Sequence, residues 1–385
     1  MNTRLAELAS LVAKHDGIND KEKLSSLVFS KFQLTKDRSV YYNDDFAIRF
    51  SSARTTSFSN TVISLSNLQK FDHRPFVVCL VTPKKNHLFL ANSTFLKKVS
   101  HSSQELRVNN IRGSFNGSDI LRDFEGIKNT VCNFDRLFAI HEPIGFEGNL
   151  QRLVDATNKI VPTGRKFDVN DDALSTILKS PIRARAFIES KDSKTLKSEI
   201  DGFVEKYRNE ILIASLIENV NVRGRIIEYL IAGEDDGLRQ EIIHALREKK
   251  KGLPKFRTEN ELGDYHRVFD RFITETDIKT KIMVLNSNPK AYNIDKMLEF
   301  LAGEKSVFLF YFIGVDPTRI ANTVLVSMFQ EDLLNATITL RHWAGRNARG
   351  VTQFEGKTIE VLIENPRNRI DLESADRFLR KVIDF

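Results

Sequence analysis

The sequence has few of the features that mark disulfide-rich, zinc-binding or membrane-spanning proteins. Its two cysteines, Cys79 and Cys132, are too few for a disulfide framework or a cysteine-based zinc site. No apolar run approaches the ~20 residues that cross a bilayer. The polar stretch after Met1 does not predict a secretory signal, so a reducing, cytoplasmic location is expected.

Several sequence signatures of enzymes are also missing. There is no glycine-rich loop of the Walker or dinucleotide type, so ATP-driven translocation is not expected. Serine hydrolase and cysteine protease signatures, low-complexity segments and internal repeats are not found either. What remains is a chain of 385 residues, 41% hydrophobic, which is long enough for two domains. Its net charge of +7 suits a polyanionic partner without requiring one.

The most informative segment is a predicted hairpin that contains two aspartates and a lysine. Residues 265–269 and 272–284 have the composition of strands, and side chains two apart on a strand leave the same face. Asp277 and Lys279 are therefore neighbours on one face. With a turn at Asp270 and Arg271, Asp264 lies directly opposite Asp277, with Cβ atoms roughly 4.5–5.5 Å apart. Two carboxylates this close repel each other unless a cation lies between them, which suits a divalent metal.

The flanking residues predict an ordered α/β unit around this hairpin. A helix over 219–232 carries Glu228, and a helix over 292–303 has Asn293 as a plausible cap. Residues 306–315 are almost continuously apolar, as in a strand covered on both faces. The predicted order is helix, two strands, a possible third strand, helix and buried strand.

This pattern resembles the PD-(D/E)XK nuclease superfamily and, within it, the type II restriction endonucleases. Asp264 matches the aspartate that opens the hairpin, Asp277 the acidic residue of the second strand, and Lys279 the lysine two positions later. Gly263 stands where the family has proline. The resemblance extends over roughly residues 210–316 as an order of elements, but over only three residues as a strict motif.

The resemblance implies a fold, an activity and partners. The fold is mixed α/β (α+β), a restriction-endonuclease-like core with a separate mixed N-terminal domain. The activity is Mg²⁺-dependent, sequence-specific cleavage of double-stranded DNA. Asp264 and Asp277 would hold the metal with assistance from Glu228, and Lys279 would orient or deprotonate the attacking water. A homodimer is implied by palindromic sites, and a cognate DNA methyltransferase is implied as a functional partner outside any stable complex.

The residues alone leave alternatives open. A short D-x-K motif also occurs as a solvated cross-strand pair, and Glu228 could be an ordinary glutamate on a helix surface. Lys281 shares the face of Asp277 and could contact a phosphate or point into solvent. At the level of function, the alternatives are a structure-specific repair or recombination nuclease of the same superfamily, and a DNA-binding protein without activity.

The regions outside the core supply candidate DNA contacts. We predict an N-terminal domain over 1–165, with strands at 61–68, 75–81 and 87–91, then a helical connector over 166–210 and a catalytic domain over 211–385. Arginine and asparagine are the residue types that read guanine and adenine edges, although such loops are also common as plain surface turns. The candidates are Arg107, Asn109, Asn110, Arg112 and Asn116 in the first domain, and Arg341, Trp343, Arg346, Asn347 and Arg349 near the C-terminus.

Overall fold

The chain folds into two compact units of mixed α/β structure. The computed structural model describes residues 3–53, 62–102, 106–161, 164–248, 254, 262–285, 287–316, 318–340 and 348–385. The first unit covers Met1–Thr163, and the second covers Gly164–Leu340 and Asn347–Phe385. The first unit thus ends next to the boundary predicted at 165, and residues 166–210 belong to the second unit. No helix among the described residues is long and apolar enough to cross a membrane.

The first unit is built around a mixed sheet. Its helices are α1 (Thr3–Ala13), α2 (Lys21–Phe32), α3 (Leu65–Phe71), α4 (Phe134–His141) and α5 (Gly145–Asn158). Its strands are β1 (Thr35–Asp37), β2 (Val40–Tyr42), β3 (Ala47–Ser52), β4 (Val62–Ser64), β5 (Phe76–Val81), β6 (Asn86–Leu90), β7 (Ser114–Asn116), β8 (Asp123–Phe124) and β9 (Ile127–Lys128). The main sheet has the order β1-β2-β3-β5-β6, and its β3–β5 pair is parallel.

Helices cover both faces of this sheet, which gives the unit three layers. Apolar residues of α1 and α2 pack with Ile48 and Phe50 on one face. Apolar residues of α3 and α5 pack with Ala47 on the other face. The central strand β5 is buried along its whole length, as expected for a strand between two helical layers.

One strand prediction in this unit is wrong in part. The sequence predicts an extended segment over 61–68, but the strand β4 ends at Ser64 and helix α3 follows at once. Leu65, Leu68 and Phe71 recur at helical spacing, and all three are buried in the core of the unit. Tertiary packing of this apolar stripe therefore decides in favour of the helix.

The second unit carries the predicted hairpin. Its helices are α6 (Asp171–Leu178), α7 (Ser180–Ile188), α8 (Lys191–Lys206), α9 (Arg208–Ser215), α10 (Val220–Ala232), α11 (Asp236–Arg247), α12 (Ile294–Leu301), α13 (Glu331–Asn335), α14 (Gly356–Glu364) and α15 (Leu372–Asp384). Its strands are β10 (Tyr265–Val268), β11 (Ile273–Ile282), β12 (Lys290–Asn293), β13 (Ser306–Val315), β14 (Ile320–Ser327), β15 (Thr337–Leu340) and β16 (Val351–Phe354).

Two sheets in the second unit position the candidate site. The larger has the order β10-β11-β13-β14, with β11 and β13 parallel and the other pairs antiparallel. The smaller has the order β12-β16-β15. The predicted buried strand is confirmed, because β13 is buried at every position. The predicted cap is also confirmed, since the Asn293 side chain accepts the backbone N–H of Lys296 at the start of α12.

Candidate active site

The hairpin register brings Asp264 and Asp277 together. Tyr265 pairs with Thr276, and His266 pairs with Glu275, which is the register predicted from the sequence. One step further along, the backbone N–H of Asp264 donates to Thr276 O at 2.9 Å. The Oδ2 atom of Asp264 accepts the N–H of Ile278 at 2.8 Å. These two bonds lie on either side of Asp277 and fix the Asp264 carboxylate against it.

Lys279 completes this arrangement on the same face of β11. Its Nζ lies 2.6 Å from Asp277 Oδ1. Burial raises the pKa of Asp277 well above its usual range, and Asp264 raises it further, while Lys279 opposes the rise. Burial by itself would lower the pKa of Lys279, but the surrounding carboxylates outweigh this and raise it. Lys279 is therefore held as an ammonium group between acidic neighbours.

Glu228 contributes a third carboxyl group from helix α10. Asn219 caps this helix by accepting the N–H groups of Asn221 and Val222. Burial raises the pKa of Glu228 to about 7, with a further contribution from the negative charge of Asp264, and Lys279 and Arg225 oppose the rise. This electrostatic coupling means that Glu228 shares the environment of Asp264 and Lys279, as the sequence order of helix and hairpin predicts.

Gly263 allows this close approach of Asp264 to β11. A Cβ atom at this position would lie 2.9 Å from Glu275 Oε2 and 2.9 Å from Thr276 N. Side-chain carbon atoms essentially never approach other atoms this closely, so any larger residue displaces the start of β10. The lack of space for a Cβ atom therefore explains why glycine, and not the proline of the nuclease superfamily, stands at position 263.

We expect Gly263→Ala to destabilise the protein by about 1–3 kcal/mol through overpacking, and to lower catalytic activity by displacing Asp264. Thermal unfolding and the activity proposed below measure the two effects. The matched control is Gly202→Ala in α8, where a Cβ atom meets nothing within 4 Å. That variant should gain stability, by about 0.4–1 kcal/mol. Equal stability of the Gly263→Ala variant and the parent protein would contradict the steric role of Gly263.

The stability of the folded protein should depend on pH through Glu228. The pKa of Glu228 in the folded protein is about 7, above its ordinary 4.5. The folded state therefore binds a proton that the unfolded state has lost between these values, and stability falls as the pH rises through that range. In EDTA we expect Glu228→Gln to be more stable than the parent at pH 8, on the order of 2 kcal/mol, and no more stable at pH 4.5. Urea unfolding at both pH values measures this difference, and an equal gain at both would contradict it.

Two further groups on the face of Asp277 have partners within the unit. Lys281 is 2% exposed, lies 2.8 Å from Glu360 Oε1 of α14 and donates to Leu285 O. This ion pair joins the buried Lys281 of β11 to the half-buried Glu360 of α14, so Lys281 is not among the proposed phosphate contacts. His266 Nδ1 lies 2.7 Å from Glu275 Oε1. His266 is not among the residues predicted from the sequence, although the same register rule places it opposite Glu275.

The predicted DNA contacts of the first unit fall into two groups. Arg107, Asn109, Asn110 and Arg112 are all exposed at the surface. Arg107 and Asn110 close a tight turn, in which the Asn110 N–H donates to Arg107 O at 2.9 Å. Asn116 is half-buried, and its Oδ1 hydrogen-bonds to His101 Nε2 at 2.8 Å. Asn116 therefore contributes to the packing of the unit, whereas the turn is available to a partner.

The C-terminal candidates give a different result. Arg349 is 5% exposed, and its Nη1 donates to Asp295 Oδ1 at 2.6 Å and to Phe167 O at 2.8 Å. Its Nε donates to Ile383 O at 3.0 Å. The guanidinium thus holds three segments of the second unit together and is not a surface contact. Arg341, Trp343, Arg346 and Asn347 lie outside the described residues.

The carboxylates suit a hard divalent cation. Within the described ranges, no group of three or more His, Cys, Asp and Glu side chains is placed to hold a metal ion. Magnesium does not need one, because it is usually held by one or two carboxylates with water and substrate phosphate as the other ligands. The negative charge of the nearby Asp264 contributes to the raised pKa of Asp277. A cation between these two groups would offset this repulsion, so the donor set fits Mg²⁺.

No protein-family model matches the chain, and no curated protein sequence is significantly similar to it. Function is therefore inferred from the arrangement of Asp264, Asp277, Lys279 and Glu228.

Proposed function

We propose that this protein is a Mg²⁺-dependent endonuclease that cuts double-stranded DNA at a short sequence, with a restriction-endonuclease-like core in its second unit. The proposal rests on one observation about the hairpin. Asp264 lies opposite Asp277, and Lys279 Nζ lies 2.6 Å from Asp277 Oδ1. Two apposed carboxylates and a half-buried ammonium group serve metal-assisted hydrolysis of a phosphate ester. The net charge of +7 suits a DNA substrate.

Each residue has a role that follows from its surroundings. Asp264 and Asp277 would hold the metal, and Glu228 would assist from α10. A bound Mg²⁺ would polarise the scissile phosphate and lower the pKa of a coordinated water. Lys279, held as an ammonium group by its acidic neighbours, orients the attacking water and balances the negative charge that develops on the phosphate. The buried position of Asp277 strengthens these interactions, because it keeps bulk water away.

Incubation with a supercoiled plasmid tests the proposal. We expect linear and then discrete smaller fragments with Mg²⁺, and intact plasmid with Ca²⁺ or EDTA. An unselective smear would indicate a nuclease without sequence preference. Cleavage that is equally fast in EDTA, or no cleavage with either Mg²⁺ or Mn²⁺, would contradict the proposal.

The surface turn from Arg107 to Arg112 is the proposed base-reading element of the first unit. Side chains that read bases cost about 1–3 kcal/mol each when they are removed, and the loss falls on one position of the site. We expect Arg107→Ala or Arg112→Ala to reduce discrimination between the cognate site and a single-base variant. Competition binding in Ca²⁺ measures this, with Lys23→Ala on the exposed side of α2 as a control. Equal losses on cognate and variant DNA would show that the turn contacts only the backbone.

A further inference from the structure

The two units repeat one strand arrangement. In the first unit, β2 and β3 form an antiparallel hairpin, β3 runs parallel to β5, and β5 and β6 form a second antiparallel hairpin. In the second unit, β10 and β11 form an antiparallel hairpin, β11 runs parallel to β13, and β13 pairs antiparallel with β14. The four strands therefore have the same order, the same directions and the same sequence of connections.

The connection between the two hairpins is repeated as well. In each unit a short strand leads directly into a helix, β4 into α3 and β12 into α12. Each short strand pairs antiparallel with a later strand, β7 or β16. The first backbone N–H of each helix donates to the carbonyl oxygen of a glycine, which has a positive φ and immediately precedes the later strand. The two bonds are Leu65 N to Gly113 O at 3.0 Å and Ile294 N to Gly350 O at 3.2 Å.

Backbone hydrogen bonds align the two hairpins residue by residue. The hairpin turns close with the same bond, and the residue after each turn donates to the residue just before the parallel strand. In the first unit these bonds are Asn43 N to Phe46 O and Ala47 N to Pro75 O, and in the second unit they are Phe269 N to Phe272 O and Ile273 N to Lys305 O. Ala47 therefore corresponds to Ile273. The sequence retains little of the repeat beyond Asn-x-Arg-Gly at 110–113 and at 347–350.

The alignment of Ala47 with Ile273 identifies the residues of β3 that correspond to the candidate active-site residues of β11. Ser51 stands at the position of Asp277, and Ala53 stands at the position of Lys279. The first unit thus lacks the equivalents of Asp277 and Lys279. Arg49 stands at the position of Glu275, and Arg38, which precedes β2, stands at the position of Asp264. Two acidic positions of one unit are basic in the other.

The guanidinium group of Arg49 is only partly satisfied by hydrogen bonds. Its side chain is half-buried, and its Nη1 donates to Ser39 O at 3.3 Å. Its Nε is buried, and no described residue accepts a hydrogen bond from it. A partly buried guanidinium with so few partners costs free energy, and the charge of an anion beside it would offset part of that cost. Arg38 is exposed in the β1–β2 turn with a φ of 52° and is available to the same ligand.

We propose that the first unit is a second copy of the core of the second unit that has lost its catalytic groups, and that Arg49 and Arg38 each bind a backbone phosphate of DNA without a metal ion. An arginine fork matches phosphate geometry directly, whereas paired carboxylates need a cation in between. The choice of DNA as the ligand rests on the proposed function. The structural repeat does not depend on it.

The test is metal-free DNA binding by the full chain. The probe is a fluorescent duplex of about 30 base pairs in EDTA, long enough for several phosphate contacts, and the variant is Arg38→Asn with Arg49→Gln. Asparagine tolerates the positive φ at position 38. The matched control, Lys21→Gln with Lys23→Gln, removes the same charge from exposed positions of α2, which packs on the opposite face of the sheet. Melting curves establish that each variant is folded.

We expect the arginine variant to bind about 10-fold more weakly, with the slope of log K against log salt concentration reduced by about 1.8, or about 0.9 for each phosphate that is no longer neutralised. If the double variant does not fold, Arg38→Asn alone carries the test, with an expected reduction in slope of about 0.9. An affinity and a salt slope equal to those of the parent or of the lysine control would overturn the inference. Plasmid cleavage is a separate readout, so a protein that fails to cut DNA but shows this weaker binding would refute only the proposed function.

Discussion

Replacing Asp277 with alanine should lower Mg²⁺-dependent DNA cleavage by roughly two to four orders of magnitude. Asp277 faces Asp264 across the hairpin and contacts Lys279, so the change removes one metal ligand and the partner of the ammonium group. DNA binding in Ca²⁺ should persist and can even tighten, because a neutral side chain no longer repels the phosphate. Initial rates on a linear duplex and equilibrium binding measure the two quantities.

Asp270→Ala provides the control on the same hairpin. Asp270 is exposed at the turn, and its backbone carbonyl, which accepts from Lys305 Nζ at 2.9 Å, is retained in the variant. Its cleavage rate should stay within about twofold of the parent, as is usual for surface changes away from a site. Cleavage by the Asp277→Ala variant at more than a few per cent of the parent rate would remove Asp277 from the proposed site.

The two lysines of β11 should separate catalysis from stability. Lys279→Met removes the ammonium group beside Asp277, and we expect a loss of cleavage of about 10²–10⁴-fold with DNA binding retained. Lys281→Met leaves Glu360 without its buried partner. Because the change also removes the hydrogen bond from Lys281 to Leu285 O, this variant should be less stable by about 1–3 kcal/mol, while the fraction that remains folded cuts DNA at a rate near that of the parent.

Urea unfolding and single-turnover cleavage, measured on both lysine variants below the unfolding transition, distinguish the two roles. An inactive but fully stable Lys281→Met variant, together with an active Lys279→Met variant, would mean that the functional lysine has been assigned to the wrong position of the strand.

The local features of the candidate site could be predicted because they follow from short-range rules. The alternation of a strand places Asp277 and Lys279 on one face, and a hairpin with a known turn fixes which residue lies opposite. The buried strand β13 is evident from its apolar run, and the cap of α12 from Asn293. The position of Glu228 near Asp264 and Lys279 follows from the order of helix and hairpin.

The features that could not be predicted depend on partners that are distant in the sequence. Lys281 and Arg349 are residue types that usually lie at the surface. Lys281 pairs with Glu360, which is 79 positions away, and Arg349 pairs with Asp295, which is 54 positions away. The switch from β4 to α3 is ambiguous in sequence, because the same leucines fit both a strand and a helical stripe. The structural repeat is hidden because backbone hydrogen bonds and strand order retain it, and side chains scarcely do.

Sequencing the DNA ends is the most direct test of the central claim. Plasmid DNA of known sequence is incubated with the protein in Mg²⁺, and every end is mapped by run-off sequencing, with the Asp277→Ala protein as the blank. The proposed function predicts ends at one short sequence, at a fixed position, that require both Mg²⁺ and Asp277. Ends that share no sequence, or that are equally abundant with the Asp277→Ala protein, would contradict it.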